Sequence, residues 1–427
     1  MRIFQVYEHE TILVGDTRNG VSFDQSHFAS LSERLGKKDD SEFPFYSLVK
    51  YRRTDGIRFK QYVGAIQAGD LTIEILPKAD KESVDQDWKS ILLFMLAKIF
   101  RLNIYSENNA PQKLRTSTIL EFVLSRFLDE VEMLMHQGLV KTYRTHTENQ
   151  TSLTGRILFS KQLTKNLVHK ERFFVQHDVY DRSHIMNRII RQTLTCIAES
   201  SSNVTIRQRA SRYLVSFSDL PGVNVEEKLF IALKYDRKTQ RYKDAMALSE
   251  LILFNNMPNL SGGNKNTFAM LFDMNRLWEE FVYVTLRKYL KGYTVTAQVR
   301  RNFWEKKCIK PDIVLHCVDD PQKMYVLDTK WKKPDRMIPA DADLHQMYVY
   351  FRYFNACKVA LLYPSAEKSN GTSHPIYAGK FTDDLPGSCD LIYLPVPKWD
   401  ADGKKWQLEI VGLIDKWLKC EDSQMRE

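Results

Sequence analysis

The stretch KPDIVLHCVDDPQKMYVLDTKWKK, Lys310 to Lys333, decides how the fold is read. It holds two short apolar runs, one entered through Pro311-Asp312 and the other leaving through Asp328-Thr329-Lys330. In an extended strand, positions 328 and 330 fall on one face, so Asp328 and Lys330 face together while Thr329 points away and lends only its backbone carbonyl. Two neighbouring strands would then present Asp312 and Asp328 side by side. Two carboxylates and a carbonyl suffice for Mg2+, which prefers oxygen ligands and keeps several waters. A nearby ammonium can position a water or offset charge that develops on a phosphodiester.

The triplet alone is weak evidence. Five other acid-x-Lys triplets occur, at Asp87, Glu226, Asp236, Glu305 and Asp402. The company of Asp328 sets it apart. A helix-patterned stretch before it, MNRLWEEFVYVTLRKYL, carries Glu279 and Glu280, between which the pattern does not choose. A helix after it carries Gln346 and Tyr350, four apart and hence neighbours on one face. The expected order is helix Met274–Leu290, strands Tyr293–Val299, Asp312–Cys317 and Met324–Asp328, helix Ala342–Phe354 and strand Lys358–Tyr363, an α/β unit in its own right.

Eight Lys or Arg residues between Arg287 and Lys310 would suit phosphate contacts, which give affinity without reading sequence. For Trp304, Trp331 and Tyr348, core packing is the expectation, with base stacking the alternative. His316 and His345 lack a zinc-ligand spacing and are read as structural or surface residues. No G-x-x-x-x-G-K-[ST] phosphate loop occurs; GGNKNT at Gly262 lacks the spacing, so any nucleotide-driven motion would come from another chain.

Upstream, FKQYVGAIQAGDLTIEILPK (Phe59–Lys78) reads as a hairpin turning at Ala68-Gly69-Asp70, with Ile73 and Ile75 on one face and Thr72 and Glu74 on the other. DWKSILLFMLAKIF follows as a helix with a broad apolar face. The middle of the chain reads as mostly helical, over Thr116–Val140 with Gly138 as the stop, Met186–Ser200 and Lys243–Asn256. Gly155 marks a tight turn, and NMPNLSGGNKN (Asn256–Asn266) reads as a linker or long loop.

The bulk numbers fit a soluble globular protein of two or three domains. With 427 residues, 43% hydrophobic and 27% charged, the chain is neither disordered nor a single small core. A formal charge of +9 favours a polyanionic partner. Six scattered cysteines without a C-x-x-C pair argue against a zinc ribbon or a disulfide framework. The opening MRIFQVYEHE lacks the build of a signal peptide, and the most apolar run, ILLFMLA, is too short for a bilayer. A cytoplasmic protein without membrane association is the expectation.

Pro311-Asp312 and Asp328-Thr329-Lys330, with Glu279 before and Gln346-x-x-x-Tyr350 after, resemble the PD-(D/E)XK nuclease core. More narrowly, the chain resembles the McrC family, the nuclease subunits of McrBC-type modification-dependent restriction systems. Ile73-Glu-Ile75-Leu-Pro77-Lys78 is similar to that family's N-terminal I-x-I-x-P-K, Gly155-Arg156-Ile157 to its Gly-Arg-Ile, and DMNRLWEEFV to its Met-Asn-x-Leu-aromatic-Glu helix, which favours Glu279. The resemblance touches most of residues 59–365.

It implies a Mg2+-dependent DNA endonuclease of α+β multidomain fold. A β-containing, partner-binding N-terminal region (1–115) would precede a mostly helical middle (116–262) and a C-terminal α/β PD-(D/E)XK restriction-endonuclease-like core (263–427). Asp312, Asp328 and the Thr329 carbonyl would hold metal. Lys330 would position water, Glu279 would be a supporting acid, and Gln346 and Tyr350 would support the site or touch DNA. The implied partners are DNA and a McrB-like AAA+ GTPase hexamer that recognises modified DNA and translocates it. Nuclease domains would pair to cut both strands. The alternatives are a stand-alone RecB-like repair nuclease and a catalytically inert adaptor of an AAA+ motor.

Overall fold

The hairpin expected around Gly69-Asp70 is present in the computed structural model of the chain, as Tyr62–Ala68 paired antiparallel with Leu71–Leu76. Ala68 pairs with Leu71, and Gly69 takes a φ of +66°, as a two-residue hairpin turn requires. Residues 2–35, 45–77, 88–100, 118–255, 269–332, 338–365, 376–381, 388–397 and 403–419 are described. The Asn256–Asn266 segment and Lys78 lie outside them. The chain divides into two compact units, one drawn from Met1–Leu120 and Ala269–Glu427 and the other from Glu121–Pro258.

In the first unit the hairpin is the middle of a four-stranded sheet. Arg2–Tyr7 lies parallel to Leu71–Leu76 on one side, and Ala269–Asp273 lies antiparallel to Tyr62–Ala68 on the other. Both faces are covered, so Thr72 and Glu74 are as buried as Ile73 and Ile75. Buried Glu74 is satisfied by Lys89 Nζ at 3.2 Å and by the backbone N–H of Ile119 at 3.0 Å, at the first turn of the Ile119–His136 helix. The helix Trp88–Ile99 is buried almost all round; its Phe94 meets Phe281 and Trp406 at 6.0 and 5.7 Å between ring centroids.

The same unit contains a six-stranded sheet. Its order is Tyr293–Ala297, Ile313–Cys317, Met324–Thr329, Lys358–Ser365, Cys389–Pro395 and Ile376–Tyr377. The first three strands pair antiparallel, the next two join in parallel, and the last is an antiparallel edge. The helix Asp341–Phe354 packs Met347, Tyr350, Phe351 and Phe354 against Val314, Val326, Val359 and Leu361 of the sheet. The helices Met274–Tyr289 and Gly403–Lys419 pack together, with Phe281 on Trp406 at 4.6 Å and Gln407 Nε2 donating to Thr285 Oγ1 at 3.0 Å. Tyr325, whose neighbour Val326 faces the Asp341–Phe354 helix, meets Trp417 of the Gly403–Lys419 helix, so the strand is buried on both faces. The expected strand Tyr293–Val299 stops at Ala297 because Gln298 turns away at a φ of +53°.

The second unit holds the expected helices, as Ile185–Ser200 and Lys243–Asn255 with Val204–Val215 between them. The Ile119–His136 helix ends before Gly138, whose φ is +81°. Buried Asn187 bridges this unit internally, donating to the carbonyls of Val140 and Arg182 and accepting from the Tyr242 hydroxyl at 2.8 Å. Beside these helices the unit carries a small sheet that the sequence did not announce. Thr142–Gln150 and Phe173–Asp181 are nine-residue antiparallel strands, with Arg156–Ile157 as a third. Thr142–Gln150 is mostly exposed and Phe173–Asp181 buries only Phe174 and Val175, so no sustained apolar alternation announced them. Gly155 has a φ of +73°, and a Cβ there would lie 2.5 Å from the Gln176 carbonyl oxygen. Among the described residues, no helix is long and apolar enough to cross a membrane.

Candidate active site

Strand register brings the two central aspartates together. Ile313 pairs with Leu327, so the next positions outward are Asp312 and Asp328. Asp328 is 1% exposed, and Asp312 is half-buried. Thr329 does more than lend a carbonyl: its backbone N–H and its hydroxyl both donate to Asp312 Oδ2, at 2.7 and 2.9 Å. The expectation that its side chain takes no part is thereby overturned. A threonine hydroxyl sits close to its own backbone and can reach a carboxylate that the N–H already holds.

Lys330 closes the same corner. Its Nζ stands 2.7 Å from Asp328 Oδ2 and donates to Gln346 Oε1 at 3.1 Å, while its backbone N–H pairs with the Leu362 carbonyl. Gln346, on the Asp341–Phe354 helix, donates through Nε2 to Asp328 Oδ1 at 3.2 Å and to the Tyr350 hydroxyl at 2.7 Å. Tyr350 passes the chain of bonds on to the Lys310 carbonyl at 3.0 Å. One amide thus fixes both the acid and the base of the triplet. Glu279 reaches the site from the Met274–Tyr289 helix and accepts from Gln298 Nε2 at 2.8 Å, while the Gln298 N–H donates to the Asp312 carbonyl.

The electrostatics follow from burying acids together. Burial and the charge of Asp312 push the Asp328 carboxyl up to about 7, against the pull of Lys330. Asp312 is also raised by burial, although the Thr329 N–H and hydroxyl work the other way. Glu279 is raised by burial and then by Asp312. Burial opposes the charge on Lys330, but Asp328, Asp343 and Asp312 outweigh it and hold the ammonium above its usual range.

Asp343 was missed in the sequence. It is buried three residues before Gln346, with Oδ1 3.6 Å from Lys330 Nζ and Oδ2 2.6 Å from Lys332 Nζ. The signal was the i, i+3 spacing to Gln346, masked by the ordinary look of an acid in a first helical turn. Of the remaining candidates, Trp331 is core: it packs on Trp278 at 5.2 Å and Trp88 at 6.2 Å and donates to Glu8. Tyr348 packs on Phe381 at 5.1 Å, and Trp304 is exposed. His345 is exposed and His316 half-buried, away from the bonded network.

The donor set suits a hard cation. Every group in it is an oxygen, and Glu279, Asp312 and Asp328 all have raised proton affinity. Asp328 Oδ2 is buried and, apart from the ammonium beside it, accepts no hydrogen bond. Among the described residues, no three acidic, His or Cys side chains form a complete cage. Asp312, Asp328 and the Thr329 carbonyl are thus a partial ligand set that waters or substrate oxygens would have to complete.

Residues 57–364 match the family described as McrBC 5-methylcytosine restriction system component. The chain belongs to that family. Within it, the chain is similar to the type IV methyl-directed restriction enzyme EcoKMcrBC of Escherichia coli (strain K12), 23% identical over 230 residues. That match covers 50% of this chain and 64% of the relative, under two thirds of its length. The fold is similar to that of a chain in the Thermococcus gammatolerans assembly of McrB AAA+ hexamers with bound McrC. The TM-score is 0.67 at 19% identity, over 97% of this chain and all of that one. The McrC-like assignment made from the sequence motifs is therefore upheld.

Proposed function

We propose that this chain is the nuclease subunit of a McrBC-type complex, a Mg2+-dependent DNA endonuclease with a PD-(D/E)XK core. The observation that carries the reading is the bonded corner in which Gln346 ties Lys330 to Asp328 while Thr329 ties the next strand's Asp312 to the same place. Asp312, Asp328 and the Thr329 carbonyl would hold Mg2+, with Glu279 as the nearby acid. When bound, the ion would supply Lewis-acid polarisation of the scissile phosphate.

The protein's own groups do the rest. Asp328 is buried, and both aspartates are already oriented by hydrogen bonds, so little reorganisation is needed when substrate arrives. Lys330 is kept protonated by its acids, which makes it a donor that can orient a water or meet charge on the phosphate. Gln346 fixes the direction of that ammonium, and Tyr350 fixes Gln346. The chain's lack of a phosphate loop fits a division of labour with a McrB-like AAA+ GTPase hexamer, which would recognise modified DNA and move it. Two nuclease domains would pair to break both strands, in the cytoplasm.

The test is reconstitution with an AAA+ GTPase encoded beside this chain, on methylated and unmethylated DNA, with and without GTP and Mg2+. Methylation-, GTP- and Mg2+-dependent cutting is expected, lost by about two orders of magnitude or more in Asp328→Ala with GTPase stimulation intact. Cutting that survives in Asp328→Ala overturns the assignment of the site.

A further inference from the structure

Between Gln298 and Lys310 the chain leaves the central sheet and returns as a separate hairpin, Arg301–Trp304 paired with Lys307–Ile309. Every residue from Arg300 to Cys308 is exposed, including Phe303 at 51% and Trp304 at 63%. Arg300, Arg301, Lys306, Lys307 and Lys310 stand against a single acid, Glu305. Among the described residues, Arg300, Lys306 and Lys307 form no ion pair. A hairpin this short has no core of its own to hold it.

Its anchors are on the site instead. The Arg301 guanidinium lies 4.4 Å from the centre of the Phe354 ring, and Phe303 meets Tyr353 edge-on at 5.7 Å. The Tyr353 hydroxyl donates to the Asn302 carbonyl. Tyr353 and Phe354 belong to the helix that carries Gln346 and Tyr350. Both stems also end on the site: Gln298 donates to Glu279, and the Lys310 carbonyl accepts from Tyr350, two residues before Asp312. The hairpin is therefore fixed relative to the place where a scissile phosphate would lie.

We infer that this hairpin grips duplex DNA beside the cut, as a two-stranded ribbon entering the major groove. Lys306 and Lys307 meet backbone phosphates, and Trp304 lies against base edges. The inference rests on the reading of the site as a DNA nuclease. The major groove is about 12 Å wide and admits a two-stranded ribbon. Unpaired basic residues gain from releasing the counterions of a polyanion, and an exposed Trp gains from being covered. A second copy of the chain is the poorer occupant, because two such basic elements would repel.

The experiment uses the full-length chain and a fluorescently labelled duplex, titrated by anisotropy in EDTA over a range of KCl. Lys306→Ala with Lys307→Ala is expected to weaken binding and to flatten the dependence of log affinity on log salt by about two. Trp304→Ala is expected to weaken binding about tenfold, the scale of covering part of one indole. Unchanged melting curves show that the variants fold; Trp304→Phe gives a second, milder variant expected to bind between wild type and Ala. Unchanged affinity and salt slope overturn the inference, as does a wild-type chain that binds no duplex. A change in oligomeric state by light scattering with DNA affinity unaltered overturns it in favour of a second copy. Cutting by the reconstituted complex with GTP and Mg2+ keeps the two readings apart. If binding depends on the hairpin but the reconstituted complex never cuts, the nuclease reading fails alone.

Discussion

At the scale of single residues, Asp328 has the largest measurable consequence. Its carboxyl ordinarily titrates at 3.8 and is pushed up to about 7 by burial and by Asp312. A folded-state value above the unfolded one means that the folded chain holds the proton more tightly. The stability this contributes is complete below 3.8 and is lost as pH rises through about 7. Between pH 6 and 8 this group alone therefore lowers stability, so metal-free protein should melt lower at pH 8 than at pH 6. Mg2+ should raise the melting temperature more at pH 8, and Asp328→Asn should flatten both effects. Scanning calorimetry with EDTA or Mg2+ at the two pH values checks this; a Mg2+ shift independent of pH would count against it. Much of this corner was legible beforehand. Period two placed Asp328 with Lys330, and the four-residue spacing placed Gln346 with Tyr350. Thr329 was misread because face alternation describes where a side chain leaves the strand, not how far a backbone N–H and its neighbouring hydroxyl reach. Asp343 was passed over because its i, i+3 spacing to Gln346 does not tell that packing sets its carboxylate against two lysines.

At the scale of elements, the strands with apolar alternation were readable and those without it were not. YVGAIQA and LTIEIL announced their hairpin, whereas TYRTHTENQ pairs with FFVQHDVYD over nine residues with most of its side chains in solvent. Ladder hydrogen bonds join that pair, with the Arg144–Asp181 ion pair and Tyr143 on Tyr180 across it, and such bonds leave no apolar period in the sequence. Trp331 shows the converse. Expected in the core, it stands on Trp278, the residue before Glu279, and so ties two site residues to one aromatic cluster. The four-stranded sheet offers a sharper test. Gly64 has a φ of +133°, and a Cβ there would sit 2.1 Å from the carbonyl oxygen of Met270 on the facing strand. Gly64→Ala should cost about 2 kcal/mol or more, because both the backbone angle and the strand separation resist it. Urea unfolding measures the loss; a midpoint equal to that of wild type would refute the claim that the two strands touch there.

For the whole molecule, chain order and spatial order part company. Residues up to 120 and residues from 269 onward form one compact unit, while those between form another. No sequence signal foretold this, because AMLFD is a short apolar run equally suited to either neighbour. Its pairing with Tyr62–Ala68 spans some two hundred residues of chain. During synthesis the first sheet therefore emerges from the ribosome with one edge bare, and it stays bare until the segment reaching Asp273 follows. Truncations that stop before Ala269 should be sticky, forming aggregates by light scattering where the full chain stays dispersed. Supplying the missing strand in trans, as a peptide covering Ala269–Asp273 and its flanks, should reduce that scattering; no reduction would mean that another surface is responsible. How long that edge stays bare is thus set by the distance along the message between two strands that end up side by side.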